Sequence, residues 1–107
     1  MQFFLKQGDT RPKIRSVLTV ASDSELSLAG AAVVLVLKNL QTGVVTRRTA
    51  TLIEGLTNQA TVEYSWVTGD TASVCTYAAE WELTVATQII TFPNDSTFTV
   101  IVGPDLR

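Results

Sequence analysis

The chain has 107 residues, one cysteine and no histidine, and its 8 Lys and Arg against 10 Asp and Glu leave a formal net charge of -2. A chain of this length is one domain's worth, residues 1–107, and folding buries roughly two-thirds of the surface it exposes when unfolded, enough for a two-layer core without crosslinks. The missing histidine removes the commonest general base, metal ligand and partner of a nucleophile, and the lone Cys75, read as a small buried hydrophobe, excludes an internal disulfide.

The first residues carry no basic region followed by a long apolar core, so no signal peptide is expected. Phe3, Leu5 and Gln7 alternate as a short strand, Gly8 to Pro12 break it, and residues 13–20 resume with Ile14, Leu18 and Val20 on one face. The two pieces read as one edge strand with a kink, because proline cannot donate to a central ladder. Adjacent Phe3 and Phe4 must point to opposite faces, so one enters the core and the other is left for solvent or a partner.

Residues 21–30 form a polar loop in which Leu26 and Leu28 plug the end of the fold. Residues 31–40 are apolar on both faces as far as Lys38, which predicts a central strand covered by the opposing sheet on one side and by a loop or a neighbouring subunit on the other. The longest apolar run, residues 29–37, is too short to cross a bilayer, so a soluble protein made in a cytoplasm, without a membrane partner, is expected.

Gln41-Thr42-Gly43 turns the chain into a strand at 44–53 whose polar face is expected to carry Thr46, Arg48 and Thr51, followed by a turn over 54–58. Ala60, Val62, Tyr64 and Trp66 then alternate with Thr61, Glu63 and Ser65. After a Gly-, Asp- and Thr-rich connection over 67–75, Tyr77, Ala79, Trp81, Leu83 and Val85 alternate with Ala78, Glu80, Glu82 and Thr84. Strands at 88–92 and 98–102 complete a meander around a turn at 93–96. The expected fold is all-β, an immunoglobulin-like sandwich of seven to eight antiparallel strands, with a small barrel as the competitor.

The charge is uneven along the chain: residues 1–48 carry seven of the eight cations, and the acids dominate after that. Either the two halves interleave in space and the asymmetry cancels, or it survives and copies attract one another head to tail.

Glu80 and Glu82 share a face at roughly 7 Å by strand rise, a glycosidase-like separation that any strand with an alternating polar face also produces. Asp70 and Asp95 could offer oxygen ligands to calcium, but neither belongs to a ligand array and Asx turns account for both. Lys6, Arg11, Lys13 and Arg15 are too few, and lack the helix, to suggest nucleic acid in an acidic protein; on an edge strand they block uncontrolled pairing. No catalytic residue, cofactor or metal is expected. A carbohydrate- or host-surface-binding module would need Trp66 or Trp81 at the surface, and their alternation predicts core.

Phe4-Leu5-Lys6-Gln7-Gly8-Asp9-Thr10-Arg11-Pro12, Leu28-Ala29-Gly30-Ala31, Tyr64-Ser65-Trp66 with Gly69-Asp70-Thr71, Tyr77-Ala78-Ala79-Glu80-Trp81-Glu82 and Thr91-Phe92-Pro93-Asn94-Asp95, in that order and spacing, resemble the amino-terminal domain of the tailed-phage baseplate upper protein and its free-standing relatives. The resemblance runs almost end to end. It implies an immunoglobulin-like sandwich, no turnover, and a place in the virion, where such domains fasten receptor-binding or fibre proteins to the tail. The implied partners are other virion proteins of the tail, baseplate, neck or fibre, and further copies of the chain in a symmetric assembly; a capsid decoration protein is the alternative. Longer members continue into fibre-holding regions, whereas this chain ends at Arg107, so an adaptor role would need two faces of one domain. Thr71 to Cys75 also lack the glycine that usually precedes the tyrosine strand. The surfaces expected to meet partners are Phe3, Phe4, Lys6, Arg11, Lys13 and Arg15 at the amino-terminal edge, and the Glu80 and Glu82 face.

Overall fold

Among the described residues the chain forms eight strands, most of them alternating in burial as period two requires: β1 (Gln2–Lys6), β2 (Ile14–Thr19), β3 (Ala32–Asn39), β4 (Val45–Leu56), β5 (Gln59–Tyr64), β6 (Cys75–Val85), β7 (Gln88–Phe92) and β8 (Phe98–Gly103). The computed structural model describes residues 2–11, 13–19, 27–92 and 98–104. The expectations for Val20, Leu26, Asp95 and the 93–96 turn lie outside these residues.

The strands form one hydrogen-bonded path in the order β1-β8-β6-β3-β4-β5-β2, with β7 also paired to β6. Its two ends, β1 and β2, are consecutive in the chain, so the path curls back on itself into an all-β, nearly barrel-shaped mixed sheet. The long strands make the bend: β4 pairs with β3 through Val45 to Ala50, then with β5 through Thr51 to Leu56 across a bulge between Leu52 and Glu54. β6 pairs along one side with β3, and along the other with β8 through Cys75 to Ala79 and with β7 through Trp81 to Val85.

Four expectations are corrected here. β1 runs parallel to β8, so the strands are not all antiparallel. β7 and β8 do not form a meander with each other; each pairs with β6. The strand after the Gly43 turn continues to Leu56, past the expected turn over 54–58, and Gln59 pairs directly with Leu56 across a two-residue link in which Asn58 has φ +53°. Finally, register places Thr46 opposite Leu37 and Arg48 opposite Leu35, so both stand on the inner face of β4, and its solvent face carries Arg47, Thr49 and Thr51.

The core is filled by Ile14, Leu28, Leu35, Val62, Trp81, Leu83 and Val100, all 0–1 % exposed. Trp81 stacks on Phe98 at 6.3 Å, and Trp66 receives Tyr64 edge-on at 5.1 Å and Phe3 at 6.0 Å. The expected plug is present in Leu28, whose N–H donates to the Leu56 carbonyl. At the opposite end Asn39 holds the β3–β4 turn, its side-chain oxygen accepting from the N–H groups of Gln41 and Thr42 while Gly43 takes φ +76°.

Gly55 lets the Leu28 segment lie on β4: a Cβ there would stand 2.7 Å from the Leu28 carbonyl carbon and 2.8 Å from the Ala29 Cα, both backbone atoms that cannot swing away. Gly55→Ala is therefore expected to lower stability by about 1–3 kcal/mol with an unchanged denaturant m-value. Gly69→Ala, where a Cβ meets open space, is the control and should stay within about 0.5 kcal/mol of wild type.

Candidate functional site

The densest polar chemistry lies where β5 leaves the sheet. Residues Thr68–Thr71 make a 3-10 turn in which Asp70 and Thr71 are buried. Burying a carboxylate requires partners, and Asp70 has several. Its Oδ1 faces Arg48 Nη2 at 2.9 Å, its Oδ2 accepts from the Tyr64 hydroxyl and from Val67 N–H (3.0 Å), and its backbone carbonyl accepts from the Tyr77 hydroxyl (3.0 Å). Asp70 thus closes the turn and ties it to β4, β5 and β6 at once, which leaves its carboxylate engaged by protein groups. No group of three or more metal-ligating side chains occurs among the described residues.

The cluster also holds the amino-terminal crossover. Thr71 Oγ1 donates to the Asp9 carbonyl (2.8 Å), Gly8 N–H donates to the Thr71 carbonyl (2.9 Å), and Gln7 Nε2 donates to the Ala72 carbonyl (2.8 Å). The segment that carries the chain from β1 to β2 is therefore strapped to the turn that Asp70 closes.

The expected interface residues divide between two surfaces. Phe3 turns inward onto Trp66, while Phe4 is 63 % exposed, as their adjacency requires. Phe4 and Lys6 line a shallow open groove of about 440 Å³ with Asp9, Ile101, Gly103 and Pro104. Lys6 and Arg11 are exposed. Lys13 and Arg15 both reach Glu63 on neighbouring β5, at 3.5 and 2.6 Å. On the outer face of the sheet, Glu82 accepts two hydrogen bonds from Arg47 across β3, and Glu80 stands within the same charged neighbourhood. The structure brings Phe4 and Lys6 together, groups Lys13 with Arg15 on β2, and sets Glu80 and Glu82 on the same outer face as Phe4, since Phe4 pairs with Ile101, Ile101 with Thr76, and Thr76, Glu80 and Glu82 share one side of β6.

The charges follow from these pairings. The Arg15 hydrogen bond holds the Glu63 carboxyl below the usual range, and the Arg47 hydrogen bond does the same for Glu82. Burial first, then the hydrogen bond to Asp70, raises the Tyr64 hydroxyl far above its ordinary value; burial and the Cys75 thiol push Tyr77 up to about 12. All four ion pairs among the described residues join a cation from the first 48 residues to an acid from Glu63 onward, so the two sequence halves interleave.

Trp66 and Trp81 are 3 % and 1 % exposed, leaving neither ring to stack on a sugar. Among the described residues, no helix is long and apolar enough to cross a membrane. Sequence reasoning missed Arg48 as the partner of Asp70, although the signal was present: neighbouring Arg47 and Arg48 in a strand must face opposite ways, and the inward one needs a buried acid. It also missed Leu40 and Leu56, exposed because they close turns. Comparison with protein-family models, with curated proteins and with solved structures finds no match.

Two outcomes are expected. The chain's two tyrosines both lie in this cluster, and their raised folded-state values contribute stability that is complete below the ordinary tyrosine range and lost as pH rises through the folded values; tyrosinate absorbance should therefore appear together with loss of β-sheet circular dichroism, well above pH ~10. Asp70→Ala strands Arg48 and the Tyr64 hydroxyl and should cost about 3 kcal/mol in chemical denaturation.

Proposed function

We propose that this chain is a non-enzymatic structural protein of a tailed-phage particle, an immunoglobulin-like sandwich that sits in the tail, baseplate or neck and anchors neighbouring tail or fibre proteins. The carrying observation is that the separated segments bearing the family resemblance are one another's physical partners. Gln7-Gly8-Asp9 bonds to Thr71 and Ala72, the Asp70 carboxylate takes Tyr64 and Val67, and Tyr77 closes on the Asp70 carbonyl. Residues that depend on each other in one knot are what a shared fold would keep in common order and spacing.

The sandwich reading draws support from the split of the first strand. β1 adds to β8 on one side while β2 adds to β5 on the other, and β4 pairs first with β3 and then with β5, the connection that two layers packed about the aromatic core would need. A structural role draws support from the surface. Glu82 is neutralised by Arg47, both tryptophans are interior, and the apolar side chains left outside include Phe4, Leu40 and Ile89, a surface suited to burial against a neighbour.

Purified particles should contain the chain in a copy number that matches a symmetric ring or lattice, measured by quantitative mass spectrometry and located by image reconstruction. A location on the head rather than the tail would favour the decoration role. Absence from purified particles would falsify the proposal.

A further inference from the structure

Among the described residues, β7 pairs with β6 along one edge and with no strand along the other. The direction of the backbone groups on that open edge follows from the ladder of β6. The Leu40 N–H donates to the Thr76 carbonyl, and the register of β6 against β3 runs unbroken from Thr84 to Tyr77, so Thr76, Ala78, Glu80, Glu82 and Thr84 turn their N–H and C=O groups toward β3. Trp81, Leu83 and Val85 turn theirs the other way, onto Phe92, Ile90 and Gln88. The alternate residues of β7, Ile89 and Thr91, therefore direct their N–H and C=O groups away from β6.

The same side of β6, further along, is taken by β8, and there the equivalent outward groups are met: β1 lies against Thr99, Ile101 and Gly103, and the Gln7 N–H donates to the Gly103 carbonyl. β1 begins at Gln2 opposite Thr99, short of β7. Edges of this kind are usually guarded by charge, as β1 is by Lys6 and β2 by Arg15 with Lys13 just before it. β7 reads Gln-Ile-Ile-Thr-Phe, with neither charge nor proline, and Ile89 is 64 % exposed on the outer face opposite Thr84. These are the properties of a strand that accepts another strand.

We infer that a second copy of this chain adds its own β7 to this edge, antiparallel and about a two-fold axis at Ile90. The choice of occupant rests on the symmetry of the edge itself. Ile89 and Thr91 stand evenly about Ile90, so in this register Ile89 of each copy exchanges both its backbone bonds with Thr91 of the other, and no outward N–H or C=O is left over. Side chains agree with the backbone: Ile89 comes beside Thr91 on the outer face, while Ile90 meets its own equivalent and Gln88 meets Phe92 on the inner one, all neutral and mostly β-branched or aromatic. Glu82, opposite Thr91, is already held by Arg47, so the two-fold sets no free carboxylate against another there. The Ala86 turn, at φ +54°, bounds β7 on one side and Pro93 follows it in the sequence on the other, which keeps the pairing short. An isologous contact uses the edge once in each copy and closes at a dimer. The pairing is a property of the isolated chain and goes beyond the proposed assembly role, which does not require it.

The test uses the full chain and two substitutions at one exposed side chain, Ile89→Lys and Ile89→Glu. Sedimentation equilibrium of wild type should show monomer and dimer and nothing larger. Amide hydrogen exchange should slow at Ile89 and Thr91 as concentration rises, while Gln88, Ile90 and Phe92, already directed at β6, change little. The two-fold register sets residue 89 diagonally across from its own equivalent, roughly 7–8 Å away by strand geometry. Each variant alone should therefore dissociate roughly tenfold more readily, because the change acts twice across the axis and brings like charges together. An equimolar mixture of the two should associate more tightly than either, most clearly at low salt. Circular dichroism matching wild type shows that the variants fold. The inference is overturned by a wild type that stays monomeric up to its solubility limit, including one whose Ile89 and Thr91 amides are already protected, since the chain itself would then cover the edge. It is equally overturned by concentration-dependent protection that falls elsewhere, by variants that associate as well as wild type, or by a mixture no tighter than either variant. A monomeric chain that is nevertheless present in particles would sink the β7 pairing alone; a dimerising chain absent from particles would sink the virion role alone.

Discussion

The Asp70 carboxylate is the constraint on which the arrangement depends. A buried carboxylate is costly unless nearly every lone pair is used, and here a guanidinium, a phenol and a backbone N–H use them. Because those groups come from β4, from the end of β5 and from the turn itself, satisfying one carboxylate sets where three parts of the chain lie. Tyr77 adds β6 through the Asp70 carbonyl, and Thr71 adds the amino-terminal crossover. A hydrophobic core alone tolerates small slides of one strand along another; a buried charge with fixed directional partners does not.

Two long strands convert that local constraint into overall shape. β4 and β6 each pair with more than one neighbour along their length, and the bulge in β4 accompanies the passage of its second half from β3 to β5. Gly55 and Leu28 close the end where that departure occurs, with bare backbone against backbone on one side and a fully buried leucine on the other. The result is an elongated body whose turns sit at two ends.

Much of this was legible beforehand. The alternation of Ala60, Val62, Tyr64 and Trp66, and that of Tyr77, Ala79, Trp81 and Leu83, predicted both the strands and the faces they bury, because period two is a property of the extended backbone. The opposite fates of Phe3 and Phe4 followed from the same rule. Arg48 was misread because its polarity outweighed its position; the pattern of β4, with threonines and arginines on both faces, carries no apolar stripe to reveal which side is inward. The parallel pairing of β1 with β8 was hidden for a different reason, since strand direction is set by how the path closes and leaves no local trace.

The sequence by itself determined the strand content, the inward aromatics and the need for a partner to any inward-facing arginine, since each depends on residue type and short-range periodicity. Only the tertiary structure decided that Asp70 is that partner, that the first strand is shared between two edges, and that the charge imbalance between sequence halves is cancelled by ion pairs between strands. These depend on which distant segments meet, and meeting is governed by the closure of the whole hydrogen-bonded path together with the burial of one charge.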